Sequence, residues 1–231
     1  MVKIFIDPGH GGNDPGAVAN GLKEKNLTLK IAKYMRDYLL ANYSGVSVRM
    51  SRETDKTVSL PTRTNSANKW GANAYISIHI NAGGGTGFES FVYPGVGKAT
   101  KDLQNAVHSE VMKVFSGFRD RGKKQANFHV LRETKMSAVL TESGFIDTKK
   151  DADFLKSDAN LRKIGEAHAK GVAKHFGLKK KTQPKPAQPA QKKGVFYRVV
   201  TGSFADRKNA EKRVAELKKA GFDSFIDVYK P

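Results

Sequence analysis

The sequence predicts an α/β fold, with a twisted central sheet of about six strands between helices and a small C-terminal β-α-β module after it. Two observations carry this. Short apolar runs alternate with longer stretches of helical periodicity through residues 1–177, and the runs end in loops rich in Gly, Asp and Asn. Composition then changes abruptly, which separates a second, smaller unit.

The first run, KIFI at 3–6, reads as a buried strand stopped by Asp7-Pro8-Gly9. Beyond Asn26, apolar side chains at Leu27, Ile31, Tyr34, Met35 and Tyr38 follow one helix face. VSVRM at 46–50 reads as a second strand, and Ser59 can cap a helix from Leu60 to about Trp70. AYISIHI at 74–80 is a third strand, opening into Asn81-Ala82-Gly83-Gly84-Gly85, and FESFVY at 88–93 is a fourth. A helix with Leu103, Val107, Val111 and Val114 on one side comes next. FHVL at 128–131 and AVLTES at 138–143 read as two further strands, and a last helix runs from about Asn160 to Phe176. These elements place one domain at 1–177.

Residues 178–194 are rich in Lys, Pro, Ala and Gln without periodicity, as a semi-extended linker is. Residues 195–231 then read as strand (196–204), helix (Ala210, Val214 and Leu217 inward) and strand (222–228). One such unit is too small to bury a good core alone, so it calls for a second copy or a partner.

The 231 residues are 39% hydrophobic, enough for a core, and contain no cysteine, which removes disulfides and thiolate metal sites. The formal net charge of +19 asks for an anionic partner: nucleic acid, a membrane surface or an anionic wall polymer. Residues 1–177 hold 27 Lys+Arg against 17 Asp+Glu, and the remainder 14 against 5, so the tail is the more basic per residue. No apolar run reaches the roughly 18 residues of a membrane span. The N-terminus lacks a signal-peptide layout, so the expectation is a chain made in the cytoplasm that acts elsewhere after release.

Of six histidines, His168 and His175 fall on the apolar face of the last helix and read as structural, His108 reads as a packed or exposed helix residue, and His129 as a strand residue. His10 and His79 differ, because each stands where a strand gives way to a Gly-rich loop. Strand ends form the ligand crevice of open α/β sheets, and two imidazoles on one rim can converge on Zn²⁺. The loop GHGGNDPG matches neither phosphate-binding pattern, and Asp7 and Asp14 would repel phosphate. A third ligand would be an acid on the same rim. Glu24, at the start of the first long helix, fits, although a lone acid there equally suits the helix dipole. Glu142, closing an apolar strand, is a candidate base, and Glu89, within a strand, a weaker one. Asn81 reads as a substrate-positioning residue; Arg63 is a second candidate for that role, although a helix surface charge is the better reading.

Together DPGHGGNDPGA with Glu24 behind it, then SIHINA, then LTESGF, resemble in order and separation the zinc-dependent N-acetylmuramoyl-L-alanine amidases of the Amidase_3 type, as in Bacillus cell-wall amidases and phage endolysins. The resemblance spans roughly Lys3 to Leu178. It implies zinc ligands at His10, Glu24 and His79, a catalytic Glu142, and cleavage of peptidoglycan between the lactyl group of muramic acid and L-alanine. Residues 195–229 resemble half of a SPOR domain, a peptidoglycan-binding module. That implies wall binding by the tail; since a full domain has two halves, either two chains pair their halves in a dimer or the single tail binds weakly through its charge. Two rival functions remain at this level. One is another zinc amide hydrolase of carboxypeptidase type, although no H-E-x-x-H is present. The other is a basic nucleic-acid binder, which the tail aromatics, fitting core positions, do not favour.

Overall fold

The computed structural model describes residues 1–181 and 200–228. The chain divides into two compact units, Met1–Thr182 and Gln183–Pro231. In the first, β1 (Val2–Pro8) leads through a Gly-rich loop to the two-residue strands β2 (Val18–Ala19) and β3 (Leu22–Lys23). Then come α1 (Glu24–Asn42), β4 (Val46–Met50), α2 (Leu60–Trp70), β5 (Ala74–Asn81) and β6 (Phe88–Val92). After these lie α3 (Lys98–Val114), β7 (Asp120–Gln125), α4 (His129–Arg132), β8 (Ser137–Phe145), α5 (Lys149–Lys156) and α6 (Asp158–His175). No helix among the described residues is long and apolar enough to cross a membrane.

The six-stranded sheet has the order β4-β1-β5-β8-β6-β7. The strands β4, β1, β5 and β8 are parallel; β6 runs antiparallel to β8, and β7 parallel to β6. Strand alternation divides the core. Ile4, Ile6, Ile76 and Ile78 face α1, α3 and α6, while Phe5, Tyr75, Ala138 and Leu140 face Ala67 of α2 and Val130 and Leu131 of α4. That second face is covered only by short helices, which leaves room above the sheet.

The helix caps follow the sequence reading. Ser59 Oγ accepts from Thr62 N–H at 3.3 Å, and Gly71 ends α2 in the left-handed region. One strand is misplaced by that reading. FHVL is a single helical turn, with Arg132 N–H donating to the Phe128 carbonyl at 3.0 Å; it buries the adjacent residues Val130 and Leu131, which a strand would point to opposite faces. The sixth strand is instead DRGKKQ, which contains no apolar side chain and gives periodicity nothing to register. It forms the polar, charged edge of the sheet. Backbone bonds from Ser44 N–H to the Lys179 carbonyl and from Lys181 N–H to the Asn42 carbonyl hold the chain to this unit past residue 177.

In the second unit α7 (Arg207–Lys219) is capped by Asp206, whose carboxylate accepts from Lys208 N–H at 2.8 Å. Residues 200–204 and 222–228 carry no strand pairing among the described residues, and 196–199, the start of the expected first tail strand, lie outside them.

Candidate metal centre

The loop after β1 is built around its backbone. Two buried arginines reach into it. Arg52 Nη2 donates to the Gly9 carbonyl at 2.8 Å and Arg52 Nε to the Pro8 carbonyl at 3.1 Å. Arg63 Nη1 donates to Asp7 Oδ1 at 2.7 Å and to the Pro8 carbonyl at 2.8 Å, and its Nη2 to the His10 carbonyl at 2.7 Å. Arg63 is therefore not a surface charge but a 4% exposed clamp. Asp7, itself 1% exposed, also accepts from Ser51 and Ser77 hydroxyls. Burial would raise its pKa, yet the Arg63 charge and these hydrogen bonds hold the carboxyl below its usual range.

His10 has φ 59°, a left-handed conformation rare outside glycine, and the clamp at its carbonyl holds it there. Its Nδ1 meets Asp14 Oδ2 at 2.8 Å, and its Nε2 faces Glu24 Oε2 at 3.1 Å. On the other side of the same carboxylate, His79 Nδ1 lies 3.0 Å from Glu24 Oε1. Oε1 also accepts from Ile80 N–H at 3.0 Å, and Oε2 from Ala17 N–H at 2.9 Å. Glu24 reaches this point because α1 begins where the β2–β3 turn returns the chain to the rim. Ligand atoms of His10, Glu24 and His79 lie within 4.8 Å of one another, and this is the metal-capable group among the described residues.

The backbone permits this approach only through glycine. A Cβ on Gly9 would stand 2.3 Å from His79 Cε1, and one on Gly16, at φ +65°, 2.6 Å from both His10 Cδ2 and Glu24 Oε2.

The charges interlock. Burial works against the charged form of Glu24, but hydrogen bonds and charge from both histidines hold it ionised well below the carboxylate range. Burial likewise opposes the imidazolium of His10, and Glu24 with Asp14 overcomes it, pushing its pKa up to about 9. Burial opposes the charged form of His79 too, and Glu24 with Glu142 raises its pKa against it. Two imidazoles aimed at one carboxylate, with Asp14 fixing the outer nitrogen of His10, are the nitrogen and oxygen donors that suit Zn²⁺. These residues fit that ion.

Glu142 stands directly opposite His79 in the β5–β8 ladder and opposite Glu89 in the β6–β8 ladder. Burial, reinforced by Glu24 and Glu89, pushes its pKa up to about 8. Its Oε2 is buried without a hydrogen-bond partner among the described residues. An acid so placed is ready to exchange a proton with something entering the site. A cavity of about 550 Å³ opens beside it, lined by His10, His79, Glu142 and Arg63 and by the apolar wall of Leu60 and Phe128.

The other residues singled out in the sequence take different places. Asn81 uses its amide inside the protein, donating to Glu89 Oε1 at 2.6 Å and accepting from Ala82 N–H at 2.8 Å. His168 is fully buried between the Ile164 carbonyl and Thr141 Oγ1, and burial lowers its pKa to about 4. His108 bridges Ser90 Oγ at 2.8 Å and Asp120 at 3.0 Å, which looks like a nucleophile triad. Ser90 is 0% exposed, so the constellation ties α3 to β6 and β7 and cannot reach substrate. His129, read as a strand residue, lies instead at the first position of α4 in the cavity wall. Asp14, Arg52, Arg63 and Asp7 were missed as supports; only the short spacing from His10 to Asp14 could have signalled one of them.

Comparison with known proteins identifies the family and the fold. Residues 4–174 match the N-acetylmuramoyl-L-alanine amidase family, and residues 166–227 match the SPOR domain. The chain is 51% identical over 226 residues to the N-acetylmuramoyl-L-alanine amidase CwlM of Bacillus licheniformis, covering 98% of this chain and 85% of that one. It is 50% identical to the sporulation-specific N-acetylmuramoyl-L-alanine amidase of Bacillus subtilis, covering 98% and 84%. Among solved structures, the catalytic domain of CwlV from Bacillus (Paenibacillus) polymyxa superposes with a TM-score of 0.73 at 31% identity, over 78% of this chain and all of that one. An N-acetylmuramoyl-L-alanine amidase from Clostridium difficile 630 gives 0.73 at 34%, over 76% and 97%.

Proposed function

The chain belongs to the N-acetylmuramoyl-L-alanine amidase family, and from that premise we propose how its residues carry out the cleavage. It is a peptidoglycan hydrolase that breaks the amide between the lactyl group of N-acetylmuramic acid and the L-alanine of the stem peptide. His10, Glu24 and His79 are the residues that would hold a Zn²⁺ ion. When bound, that ion supplies Lewis acidity, polarising the amide carbonyl and acidifying a water. Glu142 takes the proton from the attacking water and returns it to the leaving alanine nitrogen. Asp14 fixes the His10 ring, and Arg63 and Arg52 hold its backbone. Asn81 serves substrate indirectly, by fixing Glu89 beside Glu142. The observation that supports this most is the register that puts Glu142 next to a histidine of the three-donor cluster, at the mouth of a cavity.

The Pro/Lys/Gln-rich segment between the two units tethers a SPOR-type unit, 195–231, that binds the wall and raises the local concentration of the amidase there. Its exposed Phe222, Phe225 and Val228 favour pairing with a second copy; a monomeric mass in light scattering overturns that pairing.

The deciding experiment adds the protein to Gram-positive cell walls with and without a chelator. New N-terminal alanine that disappears on chelation and returns with Zn²⁺ is the expected result. Release of reducing sugars instead overturns the reading. Glu142→Gln should lower turnover by about 10²–10⁴-fold with zinc still bound.

A further inference from the structure

A row of charged side chains continues from the metal cluster toward the edge of the sheet. His79, Glu142 and Glu89 are direct neighbours on β5, β8 and β6. On β7 the register shifts opposite Glu89, which brings Arg121 beside it. The 4% exposed Glu89 carboxylate accepts from Arg121 Nε at 3.0 Å, from the Lys124 ammonium and from Asn81. One carboxylate thus faces two cations, and one positive charge is left over.

Arg121 is posed rather than spent. Its guanidinium carbon lies 4.8 Å from the centroid of the Phe145 ring, and only Nε is tied down. Its two terminal nitrogens have no hydrogen-bond partner among the described residues, and the side chain is 25% exposed. A planar guanidinium resting on an aromatic face, anchored at one nitrogen, presents the fork that binds a carboxylate through two hydrogen bonds.

The distance defines the ligand. Three strand spacings separate the His79 strand from β7, about 14 Å, or about four residues of extended chain and fewer once the arginine reaches inward. The muramic acid carboxyl is consumed in the bond under attack, so free carboxylates near the site belong to the peptide. We propose that Arg121, laid on Phe145 and tethered to Glu89, binds a carboxylate of the stem peptide a few residues beyond the cleaved bond. This sets the peptide toward β7 and leaves the apolar cavity wall to the sugar. The inference rests on the amidase reading.

The test uses full-length, zinc-loaded protein and two soluble muramoyl peptides, one with free carboxylates and one with those groups as carboxamides. Wild type should prefer the carboxylate form. Arg121→Gln should lower that preference, measured as the ratio of kcat/KM, by about ten- to hundredfold, mostly through KM. Arg121→Lys keeps a charge for Glu89 but lacks the fork, so it should fold and still lose most of the preference. An unchanged ratio in both variants, or equal losses on both peptides, overturns the assignment. Titration of the same peptides into Glu142→Gln needs no turnover. If wild type cleaves neither peptide the amidase reading has failed, while the binding difference still decides the role of Arg121.

Discussion

Gly9→Ala adds one methyl group where the structure has no space for it. The new Cβ would lie 2.3 Å from His79 Cε1 and 2.6 Å from both ring nitrogens. Carbon atoms in contact settle at about 3.5 Å or more, so the ring has to retreat by about 1.2 Å. Gly9 does not have a positive φ, so the backbone accepts alanine and the effect is steric alone. The ring cannot retreat freely, because Nδ1 is held 3.0 Å from Glu24. Metal–ligand distances tolerate about 0.2 Å, several times less than the required shift. Zinc affinity should therefore fall at least about a hundredfold, or about 2.7 kcal/mol, alongside about 1–3 kcal/mol of overpacking strain on the fold. Competition against a chromophoric chelator reads the affinity, and melting of the metal-free protein reads the fold. Gly97→Ala is the control, since nothing lies within 4 Å of a Cβ there. If folded Gly9→Ala binds zinc within twofold of wild type, the placement of His79 as a ligand held by this contact is refuted.

Two further outcomes follow from the buried charges. Arg63→Met strands the Asp7 carboxylate in the interior with only hydroxyl donors, a loss of about 3–5 kcal/mol, seen as a fall in Tm of roughly 6–20 °C; a fall under about 2 °C would show that the pair carries little stability. Metal-free protein should lose stability as pH rises through two windows. Glu142 keeps its proton up to about 8 when folded but only to the ordinary carboxyl value of 4.5 when unfolded, and His10 keeps its proton up to about 9 against 6.5. Both folded values are raised, so both contributions are complete at low pH and vanish by the upper limits. Glu24, whose folded value is depressed, acts oppositely, its contribution lost as pH falls below 4.5. The metal-free Tm should therefore be higher near pH 5–6 than near pH 9; a Tm that rises steadily to pH 9 contradicts these charge assignments.

Most of the sheet was legible because its inner strands are buried on both faces. Runs such as IFI, YISIHI and AVL, rich in β-branched and aromatic residues and bounded by turn signals, read as buried strands, and the helices packed on them show their stripes. The strand that failed to register was the polar edge, where the backbone pairs without any apolar side chain to mark it. FHVL failed the other way, its apolar pair serving one helical turn over the second face. The same physics divides the site. His10 and Glu24 stand in a loop and at a helix start, and His79 and Glu142 lie two and three residues inside the C-terminal ends of β5 and β8, further in than the sequence suggests for Glu142 but close enough to the loops for a residue type and its neighbours to speak of a rim.

The supports were invisible for a different reason. Arg52 and Arg63 lie more than forty residues from the carbonyls they clamp, and no local pattern distinguishes a buried arginine from an exposed one. Only pairing register reveals that Glu89 and Arg121, on strands β6 and β7, extend the line that starts at His79 and passes through Glu142. The parallel strands deliver the two histidines and the base, β1 through the loop that follows it, while the start of α1 supplies Glu24; the two reversed strands deliver a carboxylate and a guanidinium from the opposite chain direction to the same rim. An all-parallel sheet would place the starts of β6 and β7 at the far edge, away from the metal. Reversing the direction of these two strands is what brings a charge-reading group within peptide length of the catalytic acid.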